Sequence, residues 1–224
     1  MKKKDEALQA ILQQGLLPLF FYQDAEVSLE IIKTLYKAGI CTLEYTNRGA
    51  SALDNFTYLK AELKTVCPDL QLGIGTIKTT EEANNFIKAG ADYIVCPIVN
   101  PAVGDLVKEA GLLWVPGCFT PTEVHTAQQH HAALIKIFPA NILGPAFISS
   151  IKELFPSQLF MPTGGVEIDR TNISTWFKAG VCAVGMGSKL ISKEIMAGQQ
   201  YDELYNLTQE AITLVQECRT PVSA

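Results

Sequence analysis

Lys136 stands in the stretch ALIKIFPAN (Ala133–Asn141), with Leu134, Ile135, Ile137 and Phe138 around it and no acid beside it. Burying an ammonium among apolar residues is costly unless the charge is paired or neutralised. One option is a strand-end lysine whose ammonium snorkels out to water. The other is chemical. Desolvation disfavours the ammonium and leaves a share of free amine. A free amine attacks a carbonyl to form a Schiff base, and the iminium then acts as an electron sink. A neighbouring carbon can lose a proton, or a C–C bond can break, if an acid/base is close by.

Glu44 is the best-placed carboxylate, inside the otherwise apolar run of TLEYTNRG. On a strand, Glu44, Thr46 and Arg48 share one face. Glu44 and Arg48 could equally form a structural ion pair there. GIGTIK brings Gly73 and Gly75, which permit close backbone approach, and the hydroxyl of Thr76. Its G-x-G lacks the third glycine of a dinucleotide fingerprint. Two further stretches, PTGGVEI and GMGSKLI, are glycine-rich and lead into helices. Backbone N–H groups at such turns converge on anions. Tight strand–helix packing is the alternative for each. GMGSKL lacks the spacing of a P-loop.

Other chemistries find little support. His125, His130 and His131 fall in one polar helical stretch without H-E-x-x-H, which reads as a helix surface rather than a metal site. The six cysteines are scattered without C-x-x-C, so they read as buried apolar fillers. A net charge of −5 argues against nucleic-acid or anionic-membrane partners. No apolar run approaches a bilayer span, and MKKKDEALQA lacks an apolar signal core. A cytoplasmic protein is expected.

The elements that must position these residues follow from periodicity and punctuation. YKAGI, IKAGA, KEAGL and FKAGV each close an amphipathic stretch with a glycine (Gly39, Gly90, Gly111, Gly180) and open an apolar one. Such glycines cap helices. Their spacings are near-multiples of about 21–26 residues, a plausible strand–helix unit. Helix starts are marked by Thr79 with Glu82, by Asn100 with Pro101, and by Thr120 with Pro121 and Glu123. Eight short apolar runs lie between: LPLFFY, TLEYTN, LQLGIGT, YIVCPI, LWVPGC, ALIKIFP, LFMPTGG and CAVGMGS. Near-continuous runs suit parallel strands covered on both faces. Eight of them alternating with helices through right-handed crossovers allow a closed barrel or an open doubly wound sheet; the regular spacing and the count of eight favour an α/β protein built as a single (β/α)8 TIM barrel over residues 1–224, with an extra helix at Asp5–Gln14 before strand one. In that fold functional groups gather at strand C-terminal ends, and the loops after strands seven and eight bind phosphate.

At these residues the sequence resembles the class I aldolases acting on 2-keto-3-deoxy-6-phosphogluconate (KDPG) and 4-hydroxy-2-oxoglutarate (KHG). The resemblance covers nearly the whole chain in order, through LEYTNR, GIGT, CP, PGCFTPTE, IKIFPA, PTGGV and GMGS. It implies Lys136 as the Schiff-base lysine and Glu44 as the general acid/base. It implies Arg48 and Thr76 at the carboxylate of the 2-keto acid, with Thr163 and Phe138 lining the pocket. Gly164, Gly165, Gly187 and Ser188 would form the phosphate end, and Pro97 the wall. It also implies no metal, no cofactor beyond the covalent link through Lys136, a small-molecule substrate and a homotrimer. The sequence departs from the family at Gly49, where many members carry threonine near the site mouth. That leaves open an aldolase for the 6-phosphogalactonate epimer or an unphosphorylated keto acid. Two other classes remain: a phosphosugar isomerase-type barrel without a Schiff base, and a non-catalytic barrel binding a phosphorylated metabolite.

Overall fold

The computed structural model describes residues 3–219. In chain order the elements are α1 (Lys3–Gln14), β1 (Leu16–Phe20), α2 (Ala25–Lys37), β2 (Thr42–Thr46), α3 (Ala52–Val66), β3 (Gln71–Gly75), α4 (Thr80–Lys88), β4 (Tyr93–Val95), α5 (Pro101–Glu109) and β5 (Leu113–Val115). There follow β6 (Gly117–Cys118), α6 (Pro121–Gln129), β7 (Leu134–Ile137), α7 (Ala140–Leu154), β8 (Leu159–Pro162), α8 (Arg170–Lys178), β9 (Val184–Met186), α9 (Lys193–Gly198) and α10 (Tyr201–Cys218).

The expected punctuation is realised. Thr79 with Glu82, and Thr120 with Glu123, form reciprocal capping boxes, and the Asn100 side chain accepts from the Ala102 N–H. Gly39, Gly90, Gly111 and Gly180 follow α2, α4, α5 and α8 at positive φ, between 71° and 106°. In α7 the backbone breaks at Gly144 (φ 72°, ψ 171°), just before Pro145, which cannot donate to the helix ladder.

All strand pairs are parallel. One run has the order β5-β4-β3-β2-β1-β9 and the other β6-β7-β8. Both seams are bridged. Thr163, just past β8, pairs with Gly185 of β9, and the Cys182 N–H donates to the Phe160 carbonyl at 3.0 Å. At the other seam the Lys136 N–H donates to the Pro116 carbonyl at 2.9 Å, and Gly117 is in register with Lys136. Pro116 has no N–H, so it splits the fifth stave into β5 and β6 without diverting it. The eight expected strands thus form an α/β barrel-like ring, preceded by α1.

Two apolar layers hold the ring. The outer one packs helix faces on strands, as with Leu29, Ile31, Ile32 and Leu35 of α2. Burying each such side chain stabilises by about 1.5–3 kcal/mol, against the entropy of ordering the chain. The inner layer fills the barrel with Leu17, Tyr93, Val95, Val115, Leu134 and Met161, and Ala7 and Ile11 of α1 join it. Cys67, Cys96, Cys118 and Cys182 are buried fillers as expected. Cys41 and Cys218 are only half-buried: Cys41 is held at the α1 end by Gln14, whose Oε1 accepts from its backbone N–H at 2.7 Å.

Candidate active site

Glu44 lies in β2, where every residue is buried, and Lys136 lies in β7, also buried throughout. The two strands are opposite staves of the ring. Lys136 Nζ stands 3.5 Å from Glu44 Oε2, and the side chains are 4% and 1% exposed. Neither the snorkelling lysine nor a Glu44–Arg48 ion pair is therefore what forms. The ammonium also lies 5.3 Å from the centroid of the Phe138 ring, two residues on along the same strand face. Glu44 Oε1 is buried without a hydrogen-bond partner, and so are Thr46 Oγ1 and Thr163 Oγ1. Buried polar groups in native proteins are normally paired, so such orphans mark places where water or a ligand binds.

Beside this pair a cavity of about 150 Å³ opens at the C-terminal ends of the strands. Its walls include Arg48, Phe138, Thr163, Gly164, Gly165, Gly187 and Ser188. Seven of the nine residues expected around Lys136 and Glu44 thus face one space. Its lining carries two cations, Arg48 and Lys189, and no carboxylate. Lys189 is held by Glu167 at 2.9 Å, which ties the loop after β9 to the loop after β8. Gly164 and Gly165 have φ of 94° and 76°, conformations a side chain would strain. Two cations without a carboxylate fit an anionic ligand.

Thr76 and Pro97 do not line that cavity. Thr76 follows Gly75 at the end of β3 and has φ 65°, a strained setting for a β-branched residue. Pro97 presses on the neighbouring stave: a Cβ on Gly117 would lie 2.5 Å from the Pro97 carbonyl, and Gly117 is the register partner of Lys136. Leu19, Val166, Gly185 and Lys189 also face the cavity and were not anticipated. Lys189 had a signal, since it adjoins Ser188 in GMGSKL. Leu19 and Val166 had none, because an apolar residue at a strand end reads as core. A larger cavity, of about 320 Å³, lies at the other end of the ring beneath α1, with Trp114, His130 and His131 among its walls. His130 there pairs with Asp105 at 3.1 Å.

A family model described as KDPG and KHG aldolase matches residues 8–207. A 2-dehydro-3-deoxy-phosphogluconate aldolase of Treponema pallidum (strain Nichols) is 27% identical over 209 residues, covering 92% of this chain and 96% of the relative. A 2-dehydro-3-deoxy-6-phosphogalactonate aldolase of Escherichia coli (strain K12) is 32% identical over 152 residues, 67% of this chain and 70% of that one. Among solved structures, a 4-hydroxy-2-oxoglutarate/2-dehydro-3-deoxyphosphogluconate aldolase superposes with a TM-score of 0.79 at 28% identity, covering 93% of this chain and 98% of the other.

Proposed function

The chain belongs to the KDPG and KHG aldolase family, and on that premise we propose that it is a class I aldolase that cleaves KDPG to pyruvate and glyceraldehyde 3-phosphate, KHG to pyruvate and glyoxylate, or both. The observation that carries the reading is the buried Lys136–Glu44 pair at 3.5 Å beside a cavity lined by cations and no acid.

The Lys136 amine attacks the C2 ketone of the 2-keto acid. Proton transfers assisted by Glu44 turn the carbinolamine into an iminium and release water. Base then takes the C4 hydroxyl proton, the C3–C4 bond breaks, and its electrons move through C3 into the iminium. The aldehyde leaves. The enamine is protonated at C3 and hydrolysed to pyruvate, which frees Lys136. Arg48 holds the keto-acid carboxylate, with Thr76 reaching it from the end of β3 outside the cavity lining, Thr163 and Phe138 line the pocket, and Pro97 backs Gly117 beside Lys136. Gly164, Gly165, Gly187 and Ser188 hold the phosphate. No metal or separate cofactor takes part.

The 6-phosphogalactonate epimer is the second substrate reading. The Escherichia coli relative of that name supports it, and Gly49 leaves the choice of epimer open. The proposal includes one domain over residues 1–224, a cytoplasmic setting and a homotrimer. No helix among the described residues is long and apolar enough to cross a membrane. Exposed Ile98, Phe119 and Ile142, on segments after β4, β6 and β7, offer apolar surface that a subunit contact would cover; light scattering would give the stoichiometry.

The first test is borohydride trapping with pyruvate, followed by peptide mass spectrometry. A reduced pyruvyl adduct on Lys136 is expected. Unmodified Lys136, under conditions that trap a control class I aldolase, would overturn the Schiff-base reading in favour of an isomerase or binding protein.

A further inference from the structure

The loop after β8 walls one side of the cavity with Thr163, Gly164, Gly165 and Val166. Gly164 and Gly165 follow one another at positive φ, 94° and 76°. Glycine reaches that geometry without strain, but it gives up more freedom than any other residue when it is held there. Such a loop keeps one shape only if something else grips its backbone. At its start the Thr163 carbonyl accepts from the Ala140 N–H at 2.9 Å. Helix α7 also fills one side of the turn, since a Cβ on Gly165 would lie 2.8 Å from the Asn141 Cβ.

The remaining grip is one side chain of α8. Asn172 Nδ2 donates to the Gly165 carbonyl at 3.0 Å, and Asn172 Oδ1 accepts from the Glu167 N–H at 3.1 Å. Among the described residues no other side chain bonds to the backbone of this loop. The amide fits only one way round, because it faces a carbonyl on one side and an N–H on the other. Asn172 is itself anchored: its backbone N–H donates at 2.8 Å to Oδ1 of Asp169, the residue that caps α8.

This grip reaches the cavity by two routes. In a trans peptide the C=O and the N–H point opposite ways. Holding the Gly165 carbonyl toward α8 therefore turns the Val166 N–H away from α8. Val166 is 3% exposed and faces the cavity, and its N–H donates to no protein acceptor among the described residues. A backbone N–H left open on a cavity wall is a donor for an anion. The second route runs through Glu167. Its backbone is held by Asn172, and its carboxylate holds Lys189 of the loop after β9 at 2.9 Å.

We infer that Asn172, which does not line the cavity, sets the phosphate end of the site by aiming the Val166 N–H and stationing Lys189. The inference rests on the aldolase reading. Asn172 is a positioning residue and touches neither the substrate nor the reacting carbons. Its influence is confined to one end, because Lys136 and Glu44 are carried by β7 and β2. A ligand without phosphate has nothing for that end to hold. Asn172 thus favours phosphorylated over unphosphorylated 2-keto acids from behind the wall.

The test compares two reactions of the full chain. One is cleavage of KDPG or its galactonate epimer, whichever the wild type uses. The other is exchange of the pyruvate methyl protons in D2O, which involves no phosphate. Asn172→Ala is expected to raise the KM for the phosphorylated substrate about 10-fold, the scale of one lost hydrogen bond to a charged group, with kcat and the pyruvate exchange constants within about twofold of wild type. Thr175→Ala removes only a bond inside α8, from Thr175 Oγ1 to the Thr171 carbonyl, and should match wild type in both reactions. If Asn172→Ala does not fold, Asn172→Asp supplies the measurement. It keeps the acceptor for the Glu167 N–H and a favourable charge at the start of α8, loses the donor to Gly165, and should show the same rise in KM. An unchanged KM for the phosphorylated substrate overturns the inference, and so does a rise shared equally by pyruvate. A wild type that exchanges pyruvate but cleaves no phosphorylated substrate refutes the phosphate end, and one that neither exchanges nor traps pyruvate refutes the aldolase reading; the inference falls with either.

Discussion

Lys136 Nζ meets Glu44 Oε2 at 3.5 Å across the ring, with both side chains out of water and the two residues 92 positions apart in sequence. A buried ion pair is a poor source of stability, because desolving both charges offsets their attraction. Removing one partner strands the other and costs about 3–5 kcal/mol. Lys136→Ala and Glu44→Leu should each lower the melting temperature. The double variant Lys136→Met with Glu44→Leu should melt at or above the wild-type temperature and have no activity. Calorimetry beside an aldolase assay separates the two roles.

Glu44→Gln keeps the shape of the side chain and removes its acid/base function. Turnover should fall by about 10²–10⁴-fold, the usual range for such a loss. Lys136→Ala should abolish turnover altogether. Steady-state rates with a coupled pyruvate assay check both, and aldolase activity surviving in Lys136→Ala would refute the mechanism.

Arg48 and Lys189 are the two cations of the cavity, and Lys189 sits beside the glycine-rich loops. Arg48→Ala should weaken binding of every 2-keto acid substrate. Lys189→Met should raise the KM for a phosphorylated substrate by about 2–5-fold, the worth of an exposed ion pair, and leave that for KHG unchanged. Comparing the two substrates on each variant decides it.

Gly49 stands where the family resemblance implies threonine in many members, and the space a side chain would need is taken locally. A Cβ there would lie 2.4 Å from the tip of the Phe21 ring, which also packs 5.6 Å from the Tyr45 ring. Restoring a family-like threonine by Gly49→Thr alone should destabilise by about 1–3 kcal/mol through overpacking. Phe21→Val with Gly49→Thr should recover most of that. Urea denaturation of the two variants measures it, and their preference between the gluconate and galactonate epimers shows what the pair does for specificity.

Burial pushes the thiols of Cys96 and Cys182 up to about 12, and also raises the Cys118 thiol and the Tyr93 hydroxyl above their ordinary values. In the unfolded chain a thiol ionises near its ordinary value of 9.0. Below that, both states hold the proton and nothing is lost. Above it, only the unfolded state gives it up, so stability falls as pH rises from about 9 toward about 12. Denaturant midpoints should drop over that window. Cys96→Ala with Cys182→Ala should drop less steeply.

Much of the fold was legible because it is written in neighbouring residues. Capping boxes need a threonine and a glutamate three apart, helix ends need a glycine, and a covered strand needs an apolar run; each is a local requirement. The sequence by itself therefore determined the alternation of strands and helices, the eight staves and the oddity of Lys136, and with the family resemblance most of the residues around the cavity. Only the tertiary structure decided what Lys136 pairs with, because contact across the ring depends on closing it. It decided that Glu44 pairs with Lys136 rather than Arg48, that Pro116 splits a stave yet still accepts the Lys136 N–H, and that Lys189 faces the cavity. It also decided the two shape matches, Phe21 over Gly49 and the Glu44 carboxylate over Gly75. A glycine in a sequence says only that a side chain is missing; which distant atom fills the space is set by packing between strands and loops.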